Sequence, residues 1–338
     1  MRNPFKSVQG FRHLGVVGFL IAVLAPFVSA TSYSLSVMTS ALLFVMLAVG
    51  LNIVVGFCGL LDLGYAAFFA IGAYSSGILA TKYHWPLLAT VPVVIVAAVV
   101  AGIVIGGPTL RLRSDYLAIV TLGFGEIIRI TANNLEITGG PSGIYGIPGI
   151  HLGGLDLSGP VGFYYFCVVI VALAVIGAAR LGRSRIGRAW RFVREDEDAA
   201  EAMGIHTYKV KLAAYIAGAI WGGLAGILFG AQLTAISPQS FTFLWSALIL
   251  MAVVLGGMGS TPGVVIGAVF VSVLPELLRG AADYRYFVFG VLLIVVMIFR
   301  PEGLWPSRAT ERPARRRRRR SGAPVDEDPV AGETEVVS

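Results

Sequence analysis

Long runs of apolar residues alternate with short polar segments along most of the chain. The runs lie near residues 14–30, 35–55, 63–81, 87–107, 116–131, 162–180, 210–233, 243–258, 263–278 and 285–299. A helix that crosses a bilayer needs about 20 mostly apolar residues, and about ten such helices fit the pattern. The sequence therefore predicts an all-α polytopic membrane protein with about ten transmembrane helices in one domain at residues 14–306.

Composition and charge support this class and give an orientation. Hydrophobic residues make up 56% of the chain and charged residues 13%, whereas soluble proteins carry roughly 25% charged residues. If residues 1–13 are cytoplasmic, nearly all basic residues fall on the cytoplasmic side, as the positive-inside rule requires. We therefore expect both termini to be cytoplasmic in a multi-pass protein of the cell membrane. The first run ends in APFVSA, which resembles a signal-peptide cleavage site, but we favour its retention as a helix.

Two polar regions differ strongly in composition. The external connection at residues 133–161 is rich in Gly and Pro and has no Lys or Arg, which predicts repeated turns; it is either a functional surface or a solvated connector. Residues 307–338 form an Arg-rich tail that we predict to be disordered and cytoplasmic. The tail could bind anionic membrane lipid or only fix topology. No nucleic-acid partner is expected, because no folded recognition module surrounds the arginines.

The chain lacks the motifs of an enzyme. No GxxxxGK[ST] loop occurs, and the four histidines are isolated from one another, so we expect no nucleotide site, catalytic residue, cofactor or metal on this chain. The two cysteines, Cys58 and Cys167, lie far apart in apolar surroundings and are expected to be buried packing residues.

A few polar or flexible positions within the apolar runs are candidates for function. Glu126 and Arg129 are three residues apart and share a helix face, where they could line a substrate route, lock two helices or only fix local packing. Asp62 lies near the end of a run. Glycines at residues 59–64 and 255–263 predict interrupted helices, which either line a transport route or form ordinary turns.

The segment at residues 183–211 is a charge-dense island between apolar runs. Its EDEDAAEAMG stretch predicts one short helix, because the acidic residues are favoured at the helix N-terminus and Gly204 provides a stop. A small-residue helix on a cytoplasmic loop at residues 181–209 could dock an ATPase on another subunit. The simpler interpretation is an ordinary positive-inside loop.

Six separated stretches resemble the permease subunits of ABC importers for branched-chain amino acids, specifically the LivM type. They are LDLGYAAFFAIGAY, SDYLAIVTLGFGEIIRI, TGGPSGIYGIP, GRAWRFVREDEDAAEAMGIHTYKVKLAAYIAGAIWGGLAG, LGGMGSTPGVVIGA and FRPEGLW, in that order. The resemblance implies a second related permease, two cytoplasmic ABC ATPases that bind ATP and Mg²⁺, and an external substrate-binding protein.

The resemblance also assigns roles to individual residues. It implies ATPase coupling through Glu195, Ala199, Ala200, Glu201, Gly204 and Ile205. From the residues themselves, independently of the resemblance, a translocation route or gate is expected at Asp62, Gly64, Glu126, Arg129, Gly139, Gly140, Pro141 and Gly143. Two alternatives remain: an ion-coupled secondary transporter, for which Glu126 and Asp62 are the plausible acids, or a permease of the same family for urea, short amides or other amino acids.

Overall fold

The computed structural model describes residues 31–111, 114–152 and 155–277, together with residues 290, 291, 294, 298 and 303–305. All of them belong to the compact unit Met1–Pro306. The predicted N-terminal segment at residues 1–13, the first apolar run, most of the last run and the tail at residues 307–338 lie outside the described residues.

Helices occupy every apolar run that lies within the described residues, which confirms the helical class. In chain order they are α1 (Ser32–Leu51), α2 (Ala66–Lys82), α3 (Val91–Thr109), α4 (Ser114–Asn134), α5 (Pro160–Arg183), α6 (Arg185–Glu195), α7 (Glu197–Ala202), α8 (Thr207–Leu233), α9 (Phe243–Gly256) and α10 (Thr261–Leu277). Among the described residues, five segments are long and apolar enough to cross a membrane: Ser32–Phe57, Leu87–Thr109, Pro160–Arg183, Thr207–Leu233 and Pro238–Gly256. The apolar helix Thr261–Leu277 is shorter.

Two interruptions occur where the glycines predict them. Helix α1 continues as a π-helix, Asn52–Phe57, and the chain is then non-helical until α2, with Gly59 at a φ of +77°. Between α9 and α10 the chain turns through Gly257 and Gly259, both with positive φ. Glycine adopts this conformation without the clash that a Cβ would cause, so these residues permit the sharp turns.

Helix α8 lies at the centre of the fold and packs mainly against α2 and α3. The backbones of α2 and α8 approach closely, because a Cβ at Gly72 would collide with the α8 backbone and a Cβ at Gly226 with the α2 backbone. Small residues allow such contact between helices in a membrane. An aromatic cluster lies next to this contact: the centroid of the Phe69 ring is 4.9 Å from that of Phe229 and 5.0 Å from that of Phe241.

The connection between α4 and α5 is folded into turns, as its composition predicts. It contains the short 3₁₀ turns Glu136–Thr138 and Gly140–Ser142. The strand β1 (Ile144–Tyr145) then pairs antiparallel with β4 (Ala235–Ile236), which follows α8. A second antiparallel pair joins β2 (His151–Leu152) to β3 (Leu155–Asp156). The β1–β4 pair attaches this connection to the end of α8.

Candidate functional site

The charged island between α5 and α8 consists of two short helices. Ser184 caps α6, and its hydroxyl accepts a hydrogen bond from the Gly187 N–H at 3.2 Å. Asp196 caps α7 and accepts from the Ala199 N–H at 2.9 Å. Gly204 follows α7 with a φ of +81°. The predicted short helix is therefore present, but the extended backbone of Asp196 separates it from Glu195, which ends α6.

The predicted coupling residues have different environments. Glu195, Ala199, Glu201 and Gly204 are exposed and Ile205 is half-buried, whereas Ala200 is completely buried. Ala200 therefore attaches α7 to the protein instead of presenting a surface. Met203 was not among the predicted coupling residues, yet its apolar side chain is 75% exposed directly after α7. The outward side of α7 thus combines acidic, small and apolar groups.

Polar contacts anchor the island to the first turns of α8. Lys211, which is 8% exposed, forms an ion pair with Glu197 of α7. The indole N–H of the buried Trp190 in α6 donates to the Val210 carbonyl at 2.8 Å. Both short helices are therefore attached to α8, the central helix of the fold.

A third anchor joins the island to the π-helix. The Arg194 guanidinium donates to the Gly56 carbonyl, and a Cβ at Gly59 would lie only 2.7 Å from Arg194 Cγ. Burial lowers the pKa of Arg194, and the Glu195 carboxylate opposes this shift; an arginine nevertheless stays protonated in proteins. The C-terminal end of α6 therefore contacts the first interruption of the fold through the Arg194 side chain.

The second interruption meets the first at the same place. The Asn52 side-chain carbonyl accepts a hydrogen bond from the Gly259 N–H at 2.9 Å, and a Cβ at Gly259 would lie 3.0 Å from Arg194 Nη1. Sequence reasoning missed both Asn52 and Arg194. Asn52 carries a signal, because an amide inside an apolar run needs a polar partner, whereas Arg194 is one of several arginines in the island.

Two of the predicted route residues, Asp62 and Gly64, are structural elements of the first interruption. Asp62 is fully buried and one of its carboxylate oxygens accepts from the Gly64 N–H at 2.8 Å, whereas the other has no hydrogen-bond partner among the described residues. A Cβ at Gly64 would collide with the Thr121 carbonyl of α4. Gly64 thus lets the interrupted segment pack closely against α4, with Asp62 buried beside it, and a role of the two residues in a route stays a prediction.

The other predicted pair of route residues lies at the surface of α4. The Arg129 Nε lies 3.0 Å from each carboxylate oxygen of Glu126. The side chains of Arg129 and Glu126 are 21% and 42% exposed, respectively. The pair is local, with a spacing of three residues, so it does not lock α4 to another described helix.

The glycines of the external connection form a tight turn that the sequence partly predicts. Gly139, Gly140 and Gly143 all have positive φ, and Pro141 between them is exposed. A Cβ at Gly143 would collide with the Ile236 carbonyl of β4. A cavity of about 520 Å³ nearby is lined in part by Trp85 and Tyr145, whose side chains are 43% and 68% exposed.

The candidate residues do not form one cluster. The island precedes α8 and the glycine turn contacts β4, which follows α8, so the 27 residues of this helix separate them, or roughly 40 Å at 1.5 Å per residue. Within the described residues, no group of His, Cys, Asp and Glu could hold a metal ion. Cys58 and Cys167 are buried thiols, as expected.

The sequence matches the family described as branched-chain amino acid transport system / permease component over residues 33–297. It is 41% identical over 311 residues to the high-affinity branched-chain amino acid transport system permease protein LivM of Salmonella typhimurium, covering 85% of this chain and 73% of that protein. LivM of Escherichia coli is 40% identical with the same coverage. LivH of Salmonella typhimurium, another permease protein, is 24% identical over 283 residues, covering 77% of this chain and 90% of LivH. No solved structure gives a significant match.

Proposed function

The chain belongs to the family of branched-chain amino acid transport permease components, and we propose that it imports these amino acids by alternating access, driven by ATPases on other subunits. It is a multi-pass membrane protein of the permease type. The proposed complex contains this chain, a second related permease, two cytoplasmic ABC ATPases that hold ATP and Mg²⁺, and an external binding protein. Its place is the cell membrane, with both termini of this chain and the island in the cytoplasm.

The observation that carries the proposal is the construction of the island. Its inner side is fixed by the buried Ala200 and by the Lys211–Glu197 pair. Its outer side presents Glu201, Ala199 and Met203 to a partner. A loop that served only to fix the membrane topology would need basic residues. It would not need a capped helix such as α7, whose inner side is anchored to the protein. We assign the outer side of α7 to contact with an ATPase.

The anchors of the island suggest how ATP-driven closure reaches the membrane domain. Arg194 connects α6 to the carbonyl of Gly56, and Asn52 connects the same π-helix to Gly259 between α9 and α10. Interrupted helices are the places where a bundle bends most easily, because fewer backbone hydrogen bonds must be broken. Displacement of α7 would therefore move both interruptions together.

The other end of the molecule is assigned to the binding protein. The turn at residues 139–143 is held in shape by β1 and β4 and presents Pro141, while Trp85 and Tyr145 present aromatic surface beside it. Exposed aromatic side chains are enriched in protein interfaces. In this arrangement Gly139, Gly140 and Gly143 form an external gate, roughly 40 Å along α8 from the coupling island.

The coupling assignment is tested with Glu201→Arg in a complex reconstituted into liposomes. ATP hydrolysis and leucine uptake are measured in parallel, with co-purification of the ATPases as a check on assembly. Reversal of an interface charge should lower stimulated hydrolysis and uptake by about tenfold. Glu201→Gln keeps the shape of the side chain and removes only its charge, so its effect should be smaller. Wild-type coupling in Glu201→Arg would remove α7 from the mechanism.

A further inference from the structure

Helix α4 has one packed face and one open face. On the packed face, the Thr121 hydroxyl accepts a hydrogen bond from the Leu63 N–H at 3.1 Å, and a Cβ at Gly125 would lie 3.3 Å from Gly64 Cα. On the open face, Ile119 is 68% exposed and Ile127 is 55% exposed. One face of the helix therefore packs against the first interruption, and the opposite face is exposed.

The ion pair makes this open face unsuited to lipid. Glu126 and Arg129 lie within a predicted transmembrane run, and Glu126 is 42% exposed. Charged groups inside a membrane face the interior of a bundle or a water-filled cavity, because exposure to hydrocarbon is unfavourable. The open face of α4 therefore suits the interior of the complex, facing the second permease or an aqueous route, better than it suits lipid.

A notch lies beside the pair on the same face. A Cβ at Gly123 would meet no atom within 4 Å. Ile119 and Ile127 stand one helical turn before and after Gly123, because residues four apart in a helix are neighbours on its surface. The result is a gap without a side chain, bounded by two exposed aliphatic groups and next to the Glu126 carboxylate.

The ion pair also retains binding capacity. Arg129 uses Nε and Nη2 toward Glu126, and Nη1 makes no hydrogen bond with any residue that the structure describes. A guanidinium offers five donors, and a carboxylate has about four lone-pair positions. The pair can therefore bind a second carboxylate through Arg129 and an ammonium through Glu126 without separating.

We propose that the open face of α4 is a substrate subsite for the zwitterion of an aliphatic amino acid during its passage. The ammonium group of the substrate binds Glu126, its carboxylate binds Arg129, and its branched side chain occupies the notch at Gly123 between Ile119 and Ile127. The proposal rests on the proposed import function and adds to it the residues that contact the substrate inside the membrane domain.

The first test fills the notch with Gly123→Ala. The added methyl group meets no protein atom, and alanine favours the helix, so a purely structural role predicts unchanged uptake. The subsite predicts a loss that grows with substrate size: about tenfold for leucine and less for valine, as expected when one methyl group is added to an apolar pocket. Gly107→Ala on α3 is the matched control, since its Cβ would meet only Tyr208 Oη at 3.7 Å.

The second test exchanges the charges with the double variant Glu126→Arg, Arg129→Glu. The variant keeps an ion pair three residues apart, so a packing role predicts normal transport. The subsite predicts a loss of uptake of at least about tenfold, because the reversed pair repels both ends of the zwitterion in the orientation that places its side chain in the notch. Hydrolysis stimulated by the loaded binding protein should persist, which separates the subsite from the coupling island.

Two results would overturn the subsite. One is an unchanged ratio of leucine uptake to valine uptake in Gly123→Ala, whatever the absolute rates. The other is wild-type uptake, or loss of stimulated hydrolysis, in the charge-exchanged variant. Failure of the importer assignment has a different signature, namely that the wild-type complex itself shows no ATP-dependent uptake.

Discussion

An ion pair occurs both in the island and on helix α4, but the two pairs connect different parts of the chain. Lys211 and Glu197 belong to separate helices, and the lysine is 8% exposed, so this pair attaches α7 to α8. Glu126 and Arg129 lie three residues apart on one helix and are both more exposed than this lysine. A pair between two helices with a buried lysine is therefore an anchor, even though Glu197 itself is 47% exposed, whereas a local pair on one face of a membrane helix is available to a ligand.

Reversal of the charge of Lys211 should have the largest effect on stability. Lys211→Glu places a second carboxylate in a buried position beside Glu197, and we expect the free energy of unfolding to fall by about 3 kcal/mol. Thermal denaturation in detergent measures the loss. Adding Glu197→Lys should restore most of it. Arg129→Glu on α4 should lose less than about 1 kcal/mol; equal losses at both pairs would refute the distinction.

The inner and outer sides of α7 give the next largest contrast. Ala200 is completely buried and its neighbour Ala199 is exposed. Ala200→Leu should lower the free energy of unfolding by about 2 kcal/mol, because there is no room for the added atoms. Ala199→Leu should leave stability nearly unchanged and weaken binding of the ATPases. Thermal denaturation and co-purification separate the two effects, and similar stability losses would contradict the assignment of sides.

The link between the island and the π-helix is tested at Arg194. Arg194→Ala removes the donor to the Gly56 carbonyl, and we expect uptake per ATP hydrolysed to fall about tenfold, equivalent to about 1.4 kcal/mol. Arg194→Lys should recover only part of it, because an ammonium lacks the planar fork of a guanidinium. Full coupling in Arg194→Ala would show that force reaches the interruptions by another path.

The smallest stability effect is expected for Glu126→Ala. An exposed pair three residues apart stabilises a helix by about 0.2–0.5 kcal/mol, so denaturation of the variant should resemble the wild type. Uptake should nevertheless fall clearly, since the ammonium group of the substrate loses its partner. If Glu126→Ala lowered the denaturation temperature clearly but left uptake unchanged in the assembled complex, the pair would stabilise the fold and would not bind the substrate.

The local features of the fold follow from sequence patterns. Apolar runs predict the helices, the glycines at residues 59–64 and 255–263 predict the interruptions, and the three-residue spacing predicts the Glu126–Arg129 pair. Each of these depends on neighbours within one or two helical turns, which the sequence displays directly.

The anchors could not be predicted in the same way. Arg194 bonds to Gly56 across 138 positions of the chain, and Asn52 bonds to Gly259 across 207. Helix packing in three dimensions brings these residues together, and no periodicity in either segment encodes its partner. The same holds for the burial of Asp62 between segments, whose place in a route stays a prediction.

Cross-linking from the outer side of α7 tests directly whether this helix contacts an ATPase. Met203 is 75% exposed, and both native cysteines are buried, so Met203→Cys adds an accessible thiol at the proposed docking surface. Leu233→Cys, at a 49% exposed position at the other end of α8, is the control. In the assembled complex, we predict that a thiol cross-linker joins the Met203→Cys variant to an ATPase and does not join the Leu233→Cys variant to one. An ATPase cross-linked equally in both variants, or in neither, would contradict coupling through α7.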